Sequence, residues 1–151
     1  MAIDTFRGEY FCFSNFSPST IIRPTVEHVY QANRTFDPQW QKQIMAAGKA
    51  SEAKQLAKLC KEAGKERPDW HKVNISVMFC LVLPKFMFDS GYRNILLGTD
   101  DQDIIEGNWW HDNFWGDCRC QRCVNIPGQN NLGKVLMSIR VFLKGFSTYT
   151  F

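Results

Sequence analysis

Glu27, Gln31 and Arg34 stand four and then three residues apart. On a helix that spacing places a carboxylate, an amide and a guanidinium within one narrow sector, with Tyr30 at its flank. Taken alone, such a stripe is a solvated face carrying a weak ion pair, worth roughly a few tenths of a kcal/mol. The alternative, that these groups belong to a site, is raised by several other polar-aromatic clusters in the chain that have no structural need. A second concentration of chemistry lies at residues 108–117, Asn-Trp-Trp-His-Asp-Asn-Phe-Trp-Gly-Asp. Aromatic faces beside acceptors and a titratable imidazole suit a polar, ring-containing ligand. The competing reading is a loop anchored to the core by its tryptophans.

Three smaller clusters accompany these. In Arg67-Pro-Asp-Trp70, Asp69 reads as a helix cap and Trp70 as a core anchor, or both belong to a site. In Gly128-Gln-Asn-Asn-Leu-Gly133, backbone N–H groups at a helix entrance could hold phosphate or ribose oxygens, or serve only as a capping loop. Cys118-Arg-Cys120-Gln-Arg-Cys123, with His111 seven residues upstream, offers a Cys3His set that zinc accepts. Its spacing is not a paired CxxC pattern, so reduced thiols are the default and no metal is required. The chain has no Walker-type loop, no GxSxG elbow and no HExxH, which argues against nucleoside triphosphatases, α/β-hydrolases and zincin proteases.

The elements that would position these residues are mostly helical. Glu9–Ser14 and Thr20–Thr25 read as two short strands around a Ser-Pro-Ser turn, with Pro24 confining the second to an edge. Thr25 caps a helix running to about Phe36, followed by a short helix over 38–47. Ser51 caps an amphipathic helix to about Ala63, with Ala53, Leu56, Ala57, Leu59 and Cys60 inward. A helix from Asp69 carries Val73, Val77, Met78, Leu81 and Val82 until Pro84 kinks or ends it. A short helix over 92–97, a strand over 103–106 and a final helix over 132–144 complete the chain. The last turns Leu136, Ile139, Val141 and Phe142 toward the core. The expected class is α+β, predominantly helical with a few short strands.

The 151 residues fit one domain with a proper core. A formal charge of +3 is too mild to imply nucleic-acid binding by itself. A basic belt over 42–72 (Lys42, Lys49, Lys54, Lys58, Lys61, Lys65, Arg67 and Lys72) is read as a solvated face. The start lacks a basic segment followed by an apolar run, and the apolar run from Val77 to Leu83 is too short to span a bilayer. A cytoplasmic location is therefore expected, with no membrane partner and with six cysteines more suited to thiols or metal ligation than to disulfides. Nothing in the sequence sets an oligomeric state.

Taken in order, several segments resemble the NADAR, or YbiA-like, family. They are Phe6-x-Gly-Glu-Tyr-x-Cys-Phe-Ser-Asn-Phe-Ser-Pro-Ser19, Val26-Glu-His-Val-Tyr-Gln-Ala-Asn-Arg-Thr35, Ala53-Lys54, Arg67-x-Asp-Trp70, Val77-Met78 and Lys85-Phe86. Glu106-x-Asn-x-x-His-Asp-x-Phe-Trp-Gly116 and Gly128-x-Asn-x-Leu-Gly-x-x-Leu-Met137 complete the match. The resemblance implies a YbiA-like single domain and N-glycosidic chemistry on a ribosylated base, without a required cofactor. Removal of ADP-ribose from ADP-ribosylated guanine is the first expectation, and modified nucleic acid is one carrier of such a base. Cleavage of riboflavin-pathway intermediates, or ADP-ribose binding without turnover, are the alternatives.

By resemblance Glu27, Trp70 and Asp112 fall on positions associated with the active site. Arg34 stands where many members have a lysine thought to act in catalysis. A guanidinium stays protonated and is not nucleophilic. Either electrostatics alone serve here, or the activity is altered or lost. The expected catalytic set is Glu27, Asp112 and Arg34. The expected ligand-binding set is Ser14, Asn15, Phe16, His28, Gln31, Trp70, Trp110, His111, Trp115, Gly116 and Asn130.

Overall fold

Thr25 starts the first α-helix through its side-chain oxygen, which accepts the His28 N–H, and the helix α1 runs Val26–Ala32. It ends short of Phe36 because Asn33 closes it, donating its side-chain amide to the Val29 carbonyl at 2.8 Å. The chain then extends, and Thr35 bridges Glu66 in antiparallel fashion. Arg34 therefore lies beyond the helix. The computed structural model describes residues 2–147. It divides into two units, Asn15–Asp89 and the chain up to Ser14 together with the chain from Ser90.

In the Asn15–Asp89 unit, α1 packs against three further helices. Asp37 caps α2 (Pro38–Met45), accepting from the N–H groups of Gln39 and Trp40, with Pro38 in the first turn where a missing N–H costs nothing. Helix α3 (Ala50–Glu62) begins at Lys49 rather than at a Ser51 cap. Glu52 reaches back to accept the Gly48 N–H at 2.9 Å, one residue ahead of the N-cap. Ala53, Ala57 and Cys60 are buried as expected, and Ala53 and Ala57 pack with Ala32 and Ile44. Leu59 is exposed.

Helix α4 spans Trp70–Phe88, and Pro84 sits inside it without ending it. The turn beyond Pro84 holds because Lys85 and Phe86 are buried, and tertiary anchoring outweighs one lost backbone donor. At 19 residues and mean hydropathy 1.2, α4 has the length and composition of a membrane span, longer than the Val77–Leu83 run. In this unit it buries Met78, Val82, Lys85 and Phe86.

In the other unit, the first expected strand is instead a 3-10 helix, Gly8–Phe13. Adjacent Cys12 and Phe13 are both buried, which strand alternation does not permit. The second expected strand, which belongs to the Asn15–Asp89 unit, is reduced to a bridge between Pro18 and Thr25. There the Ser19 hydroxyl takes the Ile21 and Ile22 N–H groups and bends the chain. The 103–106 strand also shrinks to a single parallel bridge, Ile3 with Ile104, because a turn from the Ile105 carbonyl to the Gly107 N–H breaks the ladder.

The paired strands are β1 (Gly107–Asn108) and β2 (Asp117–Cys118), parallel and in register Gly107 to Asp117. Helix α5 (Ser90–Leu97) packs on α6 (Asn131–Ser147) and on the 3-10 helix. Leu132, Val135, Leu136, Ile139 and Leu143 form the inward stripe of α6. Val141 and Phe142 fall outside its phase and are exposed. The fold is α+β and predominantly helical.

Candidate functional site

The expected solvent face on α1 is not solvated. Glu27 is 5% exposed and Gln31 3%, whereas Arg34 is half-buried. Gln31 Nε2 donates to Glu27 Oε1 at 2.7 Å, and Arg34 Nη1 donates to Gln31 Oε1 at 3.4 Å. Arg34 Nε donates to Glu66 Oε1 in an ion pair. A buried carboxylate thus heads a chain of hydrogen bonds that ends in a half-buried ion pair. The Glu27 backbone N–H, one of the donors a helix start leaves unpaired, goes to the Asn15 carbonyl at 3.1 Å. Asn15 Nδ2 makes only a weak contact with Met78 Sδ at 3.4 Å. Its Oδ1 is buried with no partner among the described residues, the kind of orphan a ligand satisfies.

Trp70, the first residue of α4, is buried against Tyr30 with ring centroids 4.9 Å apart and planes tilted by 52°. Its predecessor Asp69 does not cap the helix with its side chain. The carboxylate is engaged by Arg67 Nε and Nη2 at 2.6 and 2.9 Å. This hydrogen-bonded pairing holds the Asp69 carboxyl below the usual carboxylate range and raises the Arg67 guanidinium. Arg67 also lies over the Phe36 ring, 4.4 Å from its centroid. Much of the basic belt is paired in the same manner: Lys58 with Glu62, Lys61 with Glu66, Lys65 with Asp37.

His28 is placed as a structural histidine. Its Nδ1 meets the Thr25 hydroxyl at 2.8 Å and its Nε2 the Ala47 carbonyl at 3.0 Å, so neither nitrogen is left for a ligand. Phe16 is partly exposed. Sequence reasoning missed Glu66, which fixes Arg34, because their contact spans 32 residues. It also missed the buried lysine of this unit. Lys85 is 1% exposed and donates to Ser17 Oγ at 2.7 Å. An apolar helical pattern interrupted by one lysine is the signal that could have found it.

In the other unit, Ser14 ends the 3-10 helix. The aromatic segment is fastened from within. Asp112 Oδ1 accepts the Phe114 and Trp115 N–H groups at 3.2 and 2.8 Å, and Asn108 clasps the Asp112 backbone N–H and carbonyl. Asp112 Oδ2 has no partner among the described residues. Trp115 meets Phe114 edge-to-face at 5.0 Å, and Trp110 is 59% exposed. Gly116 is buried where a Cβ would stand 2.2 Å from the Glu106 carbonyl oxygen.

The helix entrance at 128–132 is not a phosphate cradle. Its N–H groups are consumed by the aromatic segment: Gly128 by Asp117 Oδ1, Gln129 by the Asn113 carbonyl, Asn130 by Gly116, Asn131 by Phe114 and Leu132 by Trp115. The side chain of Asn130 is likewise used, accepting from the Glu106 N–H at 3.0 Å and donating to the Ile104 carbonyl at 2.8 Å. His111, Cys118, Cys120 and Cys123 gather in one knot. Burial and the neighbouring thiols push the Cys123 thiol up to about 11. Burial opposes ionisation of Cys120 too, but hydrogen bonds from Cys118 and Cys123 outweigh it and bring that thiol below its ordinary value.

A family model described as the NADAR domain matches residues 4–144. An N-glycosidase of Nostoc punctiforme is 37% identical over 149 residues, covering 93% of this chain and 90% of that protein. A riboflavin biosynthesis protein of Vibrio vulnificus is 30% identical over 90% of this chain, which spans 36% of that longer protein. The solution structure of the Escherichia coli protein YbiA superposes with a TM-score of 0.81 at 26% identity, covering 99% of this chain and 89% of that one. Since the family model runs through nearly every element that carries the candidate residues, the chain belongs to the NADAR domain family in its YbiA-like form.

Proposed function

We propose that the protein is an N-glycosidase that hydrolyses the C1–N bond between a ribose and a base. The observation that carries this reading is the buried Glu27 carboxylate, held by the Gln31 amide. Breaking a ribosyl C1–N bond leaves positive charge on C1 and the ring oxygen, while the bonding electrons depart with the base nitrogen. An ionised carboxylate out of bulk water stabilises that cation more strongly than one in water, and it can take a proton from the attacking water. The water oxygen bonds to C1 as the C1–N bond breaks, its proton passes to Glu27, and Glu27 gives a proton on through solvent to the departing base nitrogen, which restores the carboxylate. Gln31 fixes the carboxylate, and Arg34, already committed to Glu66, fixes Gln31. Arg34 is thus a positioning residue. Tyr30, on the same helix as Glu27 and Gln31, packs its ring against Trp70.

For the substrate we infer a ribosylated base, with ADP-ribosylated guanine as the first reading, carried by the family resemblance. The N-glycosidase name of the Nostoc punctiforme relative supports the reaction class. A second reading, a small ribosylated intermediate of riboflavin synthesis, is favoured by the Vibrio vulnificus relative. The deciding experiment measures release of free base from both substrate types by the natural protein and by Glu27→Gln. Release from one substrate, abolished in the variant, supports the assignment and names the substrate. ADP-ribose binding by calorimetry with no release from either would make the protein a binding module instead.

A further inference from the structure

His111 Nδ1 and the three sulfurs of Cys118, Cys120 and Cys123 all lie within 4.8 Å of one another. His111 Nδ1 stands 3.2 Å from Cys120 Sγ and 3.4 Å from Cys123 Sγ. Around a tetrahedral zinc with Zn–S near 2.3 Å and Zn–N near 2.0 Å, ligand atoms sit about 3.5–3.8 Å apart. The knot is close to that size. Weak S–H hydrogen bonds give three thiols and an imidazole little reason to converge so tightly. We propose that the protein binds one zinc ion in a closed Cys3His site made of His111, Cys118, Cys120 and Cys123.

The backbone is arranged for this set. His111 has φ +67°, a left-handed conformation that costs a histidine energy and persists only where the surroundings enforce it. That conformation turns the ring toward the sulfurs, and the His111 backbone N–H donates to Cys118 Sγ at 3.3 Å. Cys118 and Cys123 are buried and Cys120 is half-buried, so the sulfurs have little access to water. Two or more thiolates with an imidazole select zinc over hard cations such as magnesium or calcium. Four protein ligands leave no open position, which makes the site structural rather than catalytic.

The ion would fix the aromatic segment from its middle. His111 precedes Asp112, and Cys118 ends β2, so one zinc ties residue 111 to residues 118–123. Zinc loading removes the thiol protons of the three cysteines and leaves the ring proton of His111 on Nε2. Arg122 Nη2 meets Nε2 at 2.5 Å, a contact suited to the opposite tautomer. Exposed Arg122 therefore turns to solvent when the ion binds.

The test uses the full chain, purified without a histidine tag from zinc-supplemented medium. Elemental analysis is expected to find about one zinc per chain. Cobalt(II) added to metal-stripped protein is expected to give the thiolate charge-transfer and ligand-field bands of a tetrahedral site, bleached by equimolar zinc. Chelation should lower the melting temperature of the natural protein and leave that of Cys120→Ser unmoved, while His111→Cys retains metal with a shifted cobalt spectrum. The inference is overturned if natural protein with a native circular dichroism spectrum takes up neither zinc nor cobalt. Isolation with a Cys120–Cys123 disulfide that persists in reductant and excludes metal would overturn it equally.

Discussion

Gln31 is oriented by Glu27: its Nε2 donates to Glu27 Oε1 at 2.7 Å, which turns its Oε1 toward Arg34 Nη1. An amide has one donating and one accepting end, and both contacts agree with the same rotation. The carboxylate is consequently held by a side chain that is itself held, down to the Arg34–Glu66 ion pair.

Replacing Glu27 by Gln preserves shape and leaves an acceptor oxygen for Gln31, but removes the negative charge and the basic oxygen. Base release should fall by about 10²–10⁴-fold, the usual contribution of a positioned acid–base group. The circular dichroism spectrum should match that of the natural protein. Undiminished release in steady-state kinetics would remove Glu27 from the mechanism.

Arg34→Lys separates positioning from nucleophilic chemistry. A lysine keeps the charge but cannot bridge Gln31 and Glu66 with a planar fork. If Arg34 acts through Gln31, kcat should drop roughly tenfold, equivalent to about 1.4 kcal/mol, with KM little changed. Arg34→Ala should cost more. A rise in kcat for the lysine variant would instead mark Arg34 as an attenuating substitution in an otherwise competent site.

The local clusters were legible in the sequence because composition and short spacing carry them: the α1 stripe, the aromatic segment and the cysteine knot each appear as runs. Their surroundings were not. Whether Glu27 faced water depended on the helices packed against α1, of which α3 and α4 lie far away in sequence. The segment over 9–14 forms a 3-10 helix because burial of adjacent Cys12 and Phe13 overrides its local β character, while the strand over 103–106 is cut to a lone bridge by the local Ile105–Gly107 turn. Asn130 and His28 looked like ligand residues by type. Only the partners of their side chains, 24 and 26 residues away for Asn130 and 19 for His28, show that those groups are already spent.

The Arg67–Asp69 pair gives stability a pH dependence with a definite sign. The Asp69 carboxyl is held below its ordinary range chiefly by hydrogen bonds from Arg67, so the folded state favours the ionised form. Its contribution is present above the ordinary carboxylate pKa and disappears as pH falls through the lowered folded value. Asp69→Asn should therefore melt below the natural protein at neutral pH, and the gap should narrow in acid. Thermal melts of both proteins over an acidic pH series test this, and a gap independent of pH would assign the role of Asp69 to packing.

Asn130 tests whether the entrance to α6 is structural. It has φ +51°, and its amide spans the Glu106 N–H and the Ile104 carbonyl. Asn130→Gly keeps the backbone conformation and loses both side-chain bonds, at about 1–3 kcal/mol for each buried group left unpaired. Asn130→Ala loses the same bonds and must also adopt the left-handed conformation with a Cβ, a further cost of roughly 1–2 kcal/mol. Denaturant unfolding should therefore rank the proteins natural, then Gly, then Ala. A ligand-binding asparagine with no structural duty would give the opposite pattern, with stability unchanged in both variants and substrate affinity lost. The hydrogen bonds on both ends of the amide favour the first, because its oxygen and its nitrogen are each already engaged by the backbone.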